Sequence, residues 1–213
     1  MAKKILLAVL AVALCAGQTC AQETSPTSSI LVDIHFESTL DFGWNMHKLS
    51  GEVADPWGGI PDQQAMSFGF LTYDFSQSPL RLYTDTWYAL FLWVNANTPY
   101  HIKQVSQSLM TVDGQYNLDK SFIVVPDYSA EDKWDGQWPQ GDIGGDVLGP
   151  ATLVKDADIL YYGNDGVGHI LRFFYSIPKN PQVEVPGWEP VDLLQNPGKY
   201  QGSVTISITP QAP

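Results

Sequence analysis

The sequence predicts an all-β sandwich with long Gly/Pro-rich loops, and three observations predict it. Short apolar or alternating runs recur along the chain. Gly, Pro, Asn and Asp punctuate them, as turns between strands require. No segment carries a sustained 3.6-residue apolar period with capping signals, so no helical crossovers separate the strands.

Residues 1–21 come first and read as a cleavable signal peptide. Lys3 and Lys4 form a positive start, Ile5 to Leu14 an apolar middle, and Thr19 and Ala21 the small residues before a cut at Gln22. The apolar run falls short of the roughly 20 residues a bilayer span needs. Leu14 is not the small residue a lipoprotein signal would place before Cys15. Residues 22–29 (QETSPTSS) are polar and Ser/Thr-rich, a flexible leader. Residues 30–213 are then expected to form one domain.

That domain opens on a strand in which Ile30, Val32, Ile34 and Phe36 alternate with Asp33, His35 and Glu37. Residues 41–65, with Gly43, Gly51, Pro56, Gly58, Gly59 and Pro61, read as a long irregular connection. Met66 to Thr72 (MSFGFLT) is a short strand with Gly69 at a bulge or tight crossing. Trp87 to Val94 (WYALFLWV) is apolar on both faces, the mark of a strand covered on both sides. Asn95 to Pro99 make a turn and Tyr100 to Val105 resume, with Tyr100, Ile102 and Gln104 on one side; the pair is expected to be a hairpin.

Phe122 to Val125 is a strand ended by Pro126. Residues 127–168 are rich in Gly, Asp and Pro, interrupted by Leu160-Tyr161-Tyr162. His169 to Ile177 (HILRFFYSI) is a strong strand, and a proline-rich stretch follows with at most a helical turn near Val191 to Gln195. In the last strand Val204, Ile206 and Ile208 point one way and Ser203, Thr205, Ser207 and Thr209 the other.

Composition excludes several chemistries. Both cysteines, Cys15 and Cys20, leave with the signal peptide, so no disulfide, thiolate metal site or cysteine nucleophile is expected. The chain has 11 basic and 23 acidic residues; losing Lys3 and Lys4 leaves nine against 23, a formal net of −14. A nucleic-acid or anionic-lipid partner needs clustered Lys and Arg, and none cluster here. The four histidines, His35, His47, His101 and His169, form no His-x-His or His-x-x-x-His pair. The Gly-rich 141–149 lacks the Gly-Lys-Ser/Thr ending of a phosphate loop, and no Gly-x-Ser-x-Gly elbow occurs. Carboxylates are too plentiful for any one pair to stand out, so no enzyme is expected.

Calcium is the one cofactor the loops raise. Asp142, Asp146, Asp156, Asp158 and Asp165 sit in or beside Gly-rich turns. None fits the twelve-residue calcium loop or a glycine-aspartate repeat, and solvated turn aspartates with no cofactor are the expectation. Trp44, Trp57, Trp134, Trp138 and Trp188 lie in loop-like contexts beside Gly or Pro. They could stack on sugar rings, anchor a protein partner, or cap the ends of a sandwich.

One constellation resembles a known kind of protein. An alternating strand (SILVDIHF) leads to a Phe-Gly strand (MSFGFLT), then to LFLWVNANTPYHIKQV, and the chain closes on PGKYQGSVTISITP. This resembles the immunoglobulin-like sandwich of bacterial surface and fimbrial subunits, including spore coat protein U-type domains. The resemblance implies an immunoglobulin-like or jelly-roll sandwich in which Tyr200 packs at a corner and the last strand completes a sheet. It also implies that the strand bearing Ile30, Val32, Ile34 and Phe36 could be donated to a neighbour, as in strand-addition assemblies; the alternative is an ordinary first strand. The chain departs from the pattern in lacking the disulfide of usher-assembled pilins and in its long insertions at about 43–65 and 127–168.

The expectation is an exported, non-enzymatic protein of the periplasm, cell surface or medium, with a structural, adhesive or pilus-subunit-like role. Its partners would be copies of itself, other surface proteins or polysaccharide. A carbohydrate-binding module using the loop tryptophans is the alternative.

Overall fold

The computed structural model describes residues 28–36, 41–50, 59–95, 98–128, 142–143, 146–163, 169–192 and 198–210. They form β1 (Ser28–Phe36), β2 (Asp41–Ser50), β3 (Ala65–Gly69), β4 (Thr72–Asp74), β5 (Arg81–Tyr83), β6 (Thr86–Asn95), β7 (Tyr100–Thr111) and β8 (Ile123–Tyr128). After these come β9 (Asp142–Ile143), β10 (Asp146–Leu148), β11 (Thr152–Leu153), a 3-10 turn at Val154–Asp156, β12 (Ile159–Gly163), β13 (His169–Ser176), β14 (Val191–Asp192) and β15 (Tyr200–Pro210). The fold is all-β, and among the described residues no helix is long and apolar enough to cross a membrane.

Three sheets organise these strands. The largest runs β3-β1-β15-β7-β12-β10-β9, the second β11-β8-β13-β6-β2, and a small third β14-β5-β4. Among the described strands pairing is antiparallel except between β1 and β15, which run parallel. Both larger sheets feed one apolar cluster. Met46, Leu90, Leu92, Phe173 and Tyr175 come from the second sheet, and Tyr100, Ile102, Leu160, Val204 and Ile206 from the first.

The opposite face of the second sheet is also covered. Ala89, Phe91, Ile123, Val125 and Phe174 pack with Leu153, Ala151 and Val185 in a second cluster, with Trp87, Val183 and Trp188 partly buried against it. This is why β6 is apolar on both sides: Tyr88, Leu90, Leu92 and Val94 face one cluster, Ala89 and Phe91 the other. Trp93 breaks the pattern at 47% exposed. Its indole lies over Gly43, directly opposite on β2, where any Cβ would overlap the ring.

Two hydroxyls stitch the sheets together inside the core. Tyr175 of β13 donates to Gln104 Oε1 of β7 at 2.7 Å, and Gln104 Nε2 donates to the Val154 carbonyl at 2.9 Å. Tyr88 of β6 accepts the Ser67 N–H at 2.8 Å and donates to the Ser67 carbonyl at 2.7 Å, capping edge strand β3. Burial raises the pKa of both phenols, so each keeps its proton as a donor.

Several elements differ from the sequence reading. Residues 41–50 are not irregular: they form β2, whose Phe42, Trp44 and Met46 turn to the core while Gly43 yields space to Trp93. Residues 87–105 are not a hairpin. β6 belongs to the second sheet and β7 to the first, so the chain changes layer instead of folding back on itself. β8 continues through Pro126, which pairs with Phe173 on one side. β11 reaches only Ile123 and Val124, so past them β8 is an edge that tolerates proline. Residues 66–72 split into β3 and β4, with Gly69 at φ 67°. Val191 and Asp192 form β14, and the rest of the turn expected near Val191 to Gln195 lies outside the described residues. The last strand alternates as read, with Val204, Ile206 and Ile208 buried and Tyr200 buried at its start.

Candidate functional site

One cleft is built from two segments far apart in sequence. β7 ends at Thr111 and the chain turns at Asp113-Gly114, where Gly114 sits at φ 71°. That left-handed conformation suits glycine. The Gly114 N–H donates to the Thr111 carbonyl at 2.8 Å, and the Thr111 N–H to the Tyr116 carbonyl at 2.9 Å. Asp113 accepts from the Thr111 hydroxyl and the Gln115 N–H, and these bonds hold its carboxyl below the usual range. Further along, the Leu118 N–H reaches the Leu109 carbonyl at 2.9 Å, and Asp119 Oδ1 accepts the Leu109 N–H at 2.9 Å. The turn is thereby pinned to β7. Leu118 and Phe122 are buried beneath it, and Tyr116 remains 36% exposed.

The second wall arrives from residues 188–192. The Glu189 N–H donates to the Lys120 carbonyl at 2.8 Å, and the Ser121 hydroxyl to the Glu189 carbonyl at 2.8 Å. Lys120 Nζ also meets Glu189 Oε1 at 2.8 Å. Val191 then buries into the core while Asp192 stays exposed. Between the two walls lies a cleft of about 270 Å³. Tyr116, Asn117, Lys120 and Ser121 line one side, Glu189 and Asp192 the other. Its chemistry is an aromatic face with hydrogen-bond donors and acceptors of both charges.

The first strand occupies a different kind of place. β1 lies inside the largest sheet, bonded to β15 on one side and β3 on the other. Its parallel register with β15 runs unbroken over nine residues, from Ser28 opposite Tyr200 to Phe36 opposite Ile208. Ile30, Val32, Ile34 and Phe36 fall opposite Gly202, Val204, Ile206 and Ile208.

Among the described residues, three charged side chains are buried, at two places. Arg172 of β13 and Asp127 of β8 are directly opposed and ion-paired, with side chains 2% and 0% exposed. Asp74, buried at the end of β4, meets Lys179 Nζ at 3.0 Å and the Ser76 hydroxyl at 2.6 Å. Burial alone would raise its pKa, but the bonds from Ser76 and Lys179 and the lysine charge outweigh it and hold the carboxyl below its ordinary value.

The tryptophans singled out by sequence are not gathered into one platform by the described residues. Trp44 lies within β2 and packs against the main core. Trp188 packs partly buried against the second cluster. Trp57, Trp134 and Trp138 fall outside the described residues. Among the aspartates raised for calcium, Asp142 lies in β9 and Asp146 in β10, Asp156 and Asp158 are exposed about the 3-10 turn, and Asp165 falls outside the described residues. Among the described residues, no three His, Cys, Asp or Glu side chains gather as a metal ion would require. Sequence reading missed the cleft residues. The signal that could have drawn attention there is Asp113-Gly114, a strong turn dipeptide that brings Tyr116 back beside β7.

No protein-family model, curated protein or solved structure matches this chain.

Proposed function

We propose that this is an exported, non-enzymatic β-sandwich of immunoglobulin-like or jelly-roll type that serves as a structural or adhesive surface subunit, assembling through its first strand. The observation that supports this reading is the place of β1. It fills an interior slot between β3 and β15, paired in parallel register to β15 and in antiparallel register to β3. A strand near one end of the chain in such a slot can be supplied equally well by a second copy, because the partner strands present the same donors and acceptors. The export signal read at residues 1–21 suits a protein working outside the cytoplasm.

The experiment uses residues 22–213 labelled with two different fluorophores, and a shorter form starting at Asp41. Mixed full-length chains held at high concentration are expected to give energy transfer and oligomers that resist SDS. A peptide covering Ser28 to Phe36 is expected to bind the shorter form and raise its melting temperature, since a ligand specific for the folded state stabilises it. A full-length chain that stays monomeric and unmixed, with a shorter form that no peptide rescues, refutes assembly through β1.

A further inference from the structure

We infer that the cleft between residues 116–121 and 189–192 is a binding subsite for one uncharged sugar unit of a glycan, with Tyr116 as its stacking face. The inference uses none of the residues of β1 and so is argued separately from assembly through that strand.

Size comes first. A space of about 270 Å³ lies just under the roughly 300–1,000 Å³ of pockets that hold drug-sized ligands. It therefore suits a single ring better than an extended chain or a peptide side. Rigidity comes second. Both walls are fixed by main-chain bonds, from Thr111 to Tyr116, Leu118 to Leu109 and Glu189 to Lys120. A preformed cleft loses little ordering entropy when a ligand enters.

The lining then selects the ligand. Tyr116 offers a half-open ring, and C–H faces of a sugar pack on such a surface while its hydroxyls reach outward. The carboxylates of Glu189 and Asp192 accept from hydroxyls, Lys120 donates, and the Asn117 amide does both. A polyol is the ligand class that uses donors and acceptors together. An anionic ligand such as a phosphate or a uronate is disfavoured, because the two carboxylates outnumber the one ammonium and the chain carries a formal net charge of −12. A bare cation is disfavoured too, since the ammonium of Lys120 lines the same cleft and would repel it.

The Lys120–Glu189 pair adds a further reason. Its side chains are 58% and 60% exposed, and such a surface pair contributes little to stability. Both groups are therefore free to turn toward a ligand without unfolding the cleft, whose backbone is held separately.

The test measures binding of residues 22–213 to soluble neutral polysaccharides (glucan, mannan, galactan and xylan) and to a polyuronate, by affinity electrophoresis and calorimetry. Binding to at least one neutral polymer is expected, weakened at least tenfold by Tyr116→Ala and by Lys120→Ala and retained by Tyr116→Phe. Both alanine variants alter exposed side chains, so an unchanged melting temperature separates lost contact from lost fold. No binding to any neutral polymer overturns the inference. So does binding that is preferential for the polyuronate, or binding that both alanine variants leave intact, which would place the sugar elsewhere.

Discussion

Replacing Arg172 with methionine isolates the energetics of the second sheet's outer face. The guanidinium is 2% exposed and its partner Asp127 is 0% exposed, on adjacent strands and directly opposite. Phe91 is the neighbour of Arg172 on β6. Arg172→Met keeps most of the volume but takes the ion-pair partner from a fully buried carboxylate. Breaking one side of a buried pair costs about 3–5 kcal/mol, a large part of the roughly 5–15 kcal/mol by which domains are stable. At about 2–4 °C per kcal/mol for a chain of this size, the melting temperature should fall by about 6–20 °C. Removing both charges together, as Arg172→Met with Asp127→Leu, should recover most of that loss, because two well-packed apolar side chains are often no worse than the pair. Urea unfolding followed by tryptophan fluorescence reads both, provided the m-value is unchanged. Burial also predicts that the wild-type midpoint shifts little between low and high salt on account of this pair. A single variant that loses less than about 1 kcal/mol, or a double variant as unstable as the single, would refute the reasoning.

Two other substitutions test the core stitching and the small sheet. Tyr175→Phe removes the donor to Gln104 Oε1 and leaves that oxygen buried, so stability should fall by about 1–3 kcal/mol in the same urea assay; adding Gln104→Leu should restore part of it. Asp74 has a folded pKa below its ordinary value, so unfolding takes up a proton on acidification. Its stabilising contribution is complete above the usual aspartate range near pH 3.8 and disappears as the pH falls through the folded pKa. Asp74→Asn should therefore lower the melting temperature at pH 7 and flatten its decline in acid; an acid limb identical to wild type would contradict the role given to Ser76 and Lys179.

How much of this was legible in the chain depends on whether the determining contacts are local. β6, β13 and β15 declare themselves because each carries its burial pattern in consecutive residues: two covered faces for Trp87 to Val94, strict alternation for Val204 to Ile208. β2 hides for a physical reason. Its core-facing Phe42, Trp44 and Met46 alternate with Gly43 and Asn45, and the glycine, which normally marks a loop, is there to admit Trp93 from the next strand. The Asn and Pro residues between Asn95 and Pro99 announce a reversal in the sequence but cannot announce onto which sheet the chain returns, since that is settled by the layer β7 joins through β15 and β12.

The cleft is the extreme case of the same rule. Lys120 and Glu189 are 69 residues apart, and nothing in either segment alone calls for the other. They meet because two independent anchors converge: the Asp113-Gly114 turn folds residues 116–121 onto β7, and Val191 seats β14 beside β5. The backbone bonds between Lys120, Ser121 and Glu189 then close the walls. Those bonds use main-chain atoms and the Ser121 hydroxyl, leaving the ring of Tyr116 and the head groups of Lys120 and Glu189 as the cleft's changeable part. Stability and recognition are thus carried by different atoms of the same residues. Side-chain variants in the cleft should therefore alter what it binds far more than whether the chain folds, whereas variants at Arg172 or Tyr175 should do the reverse.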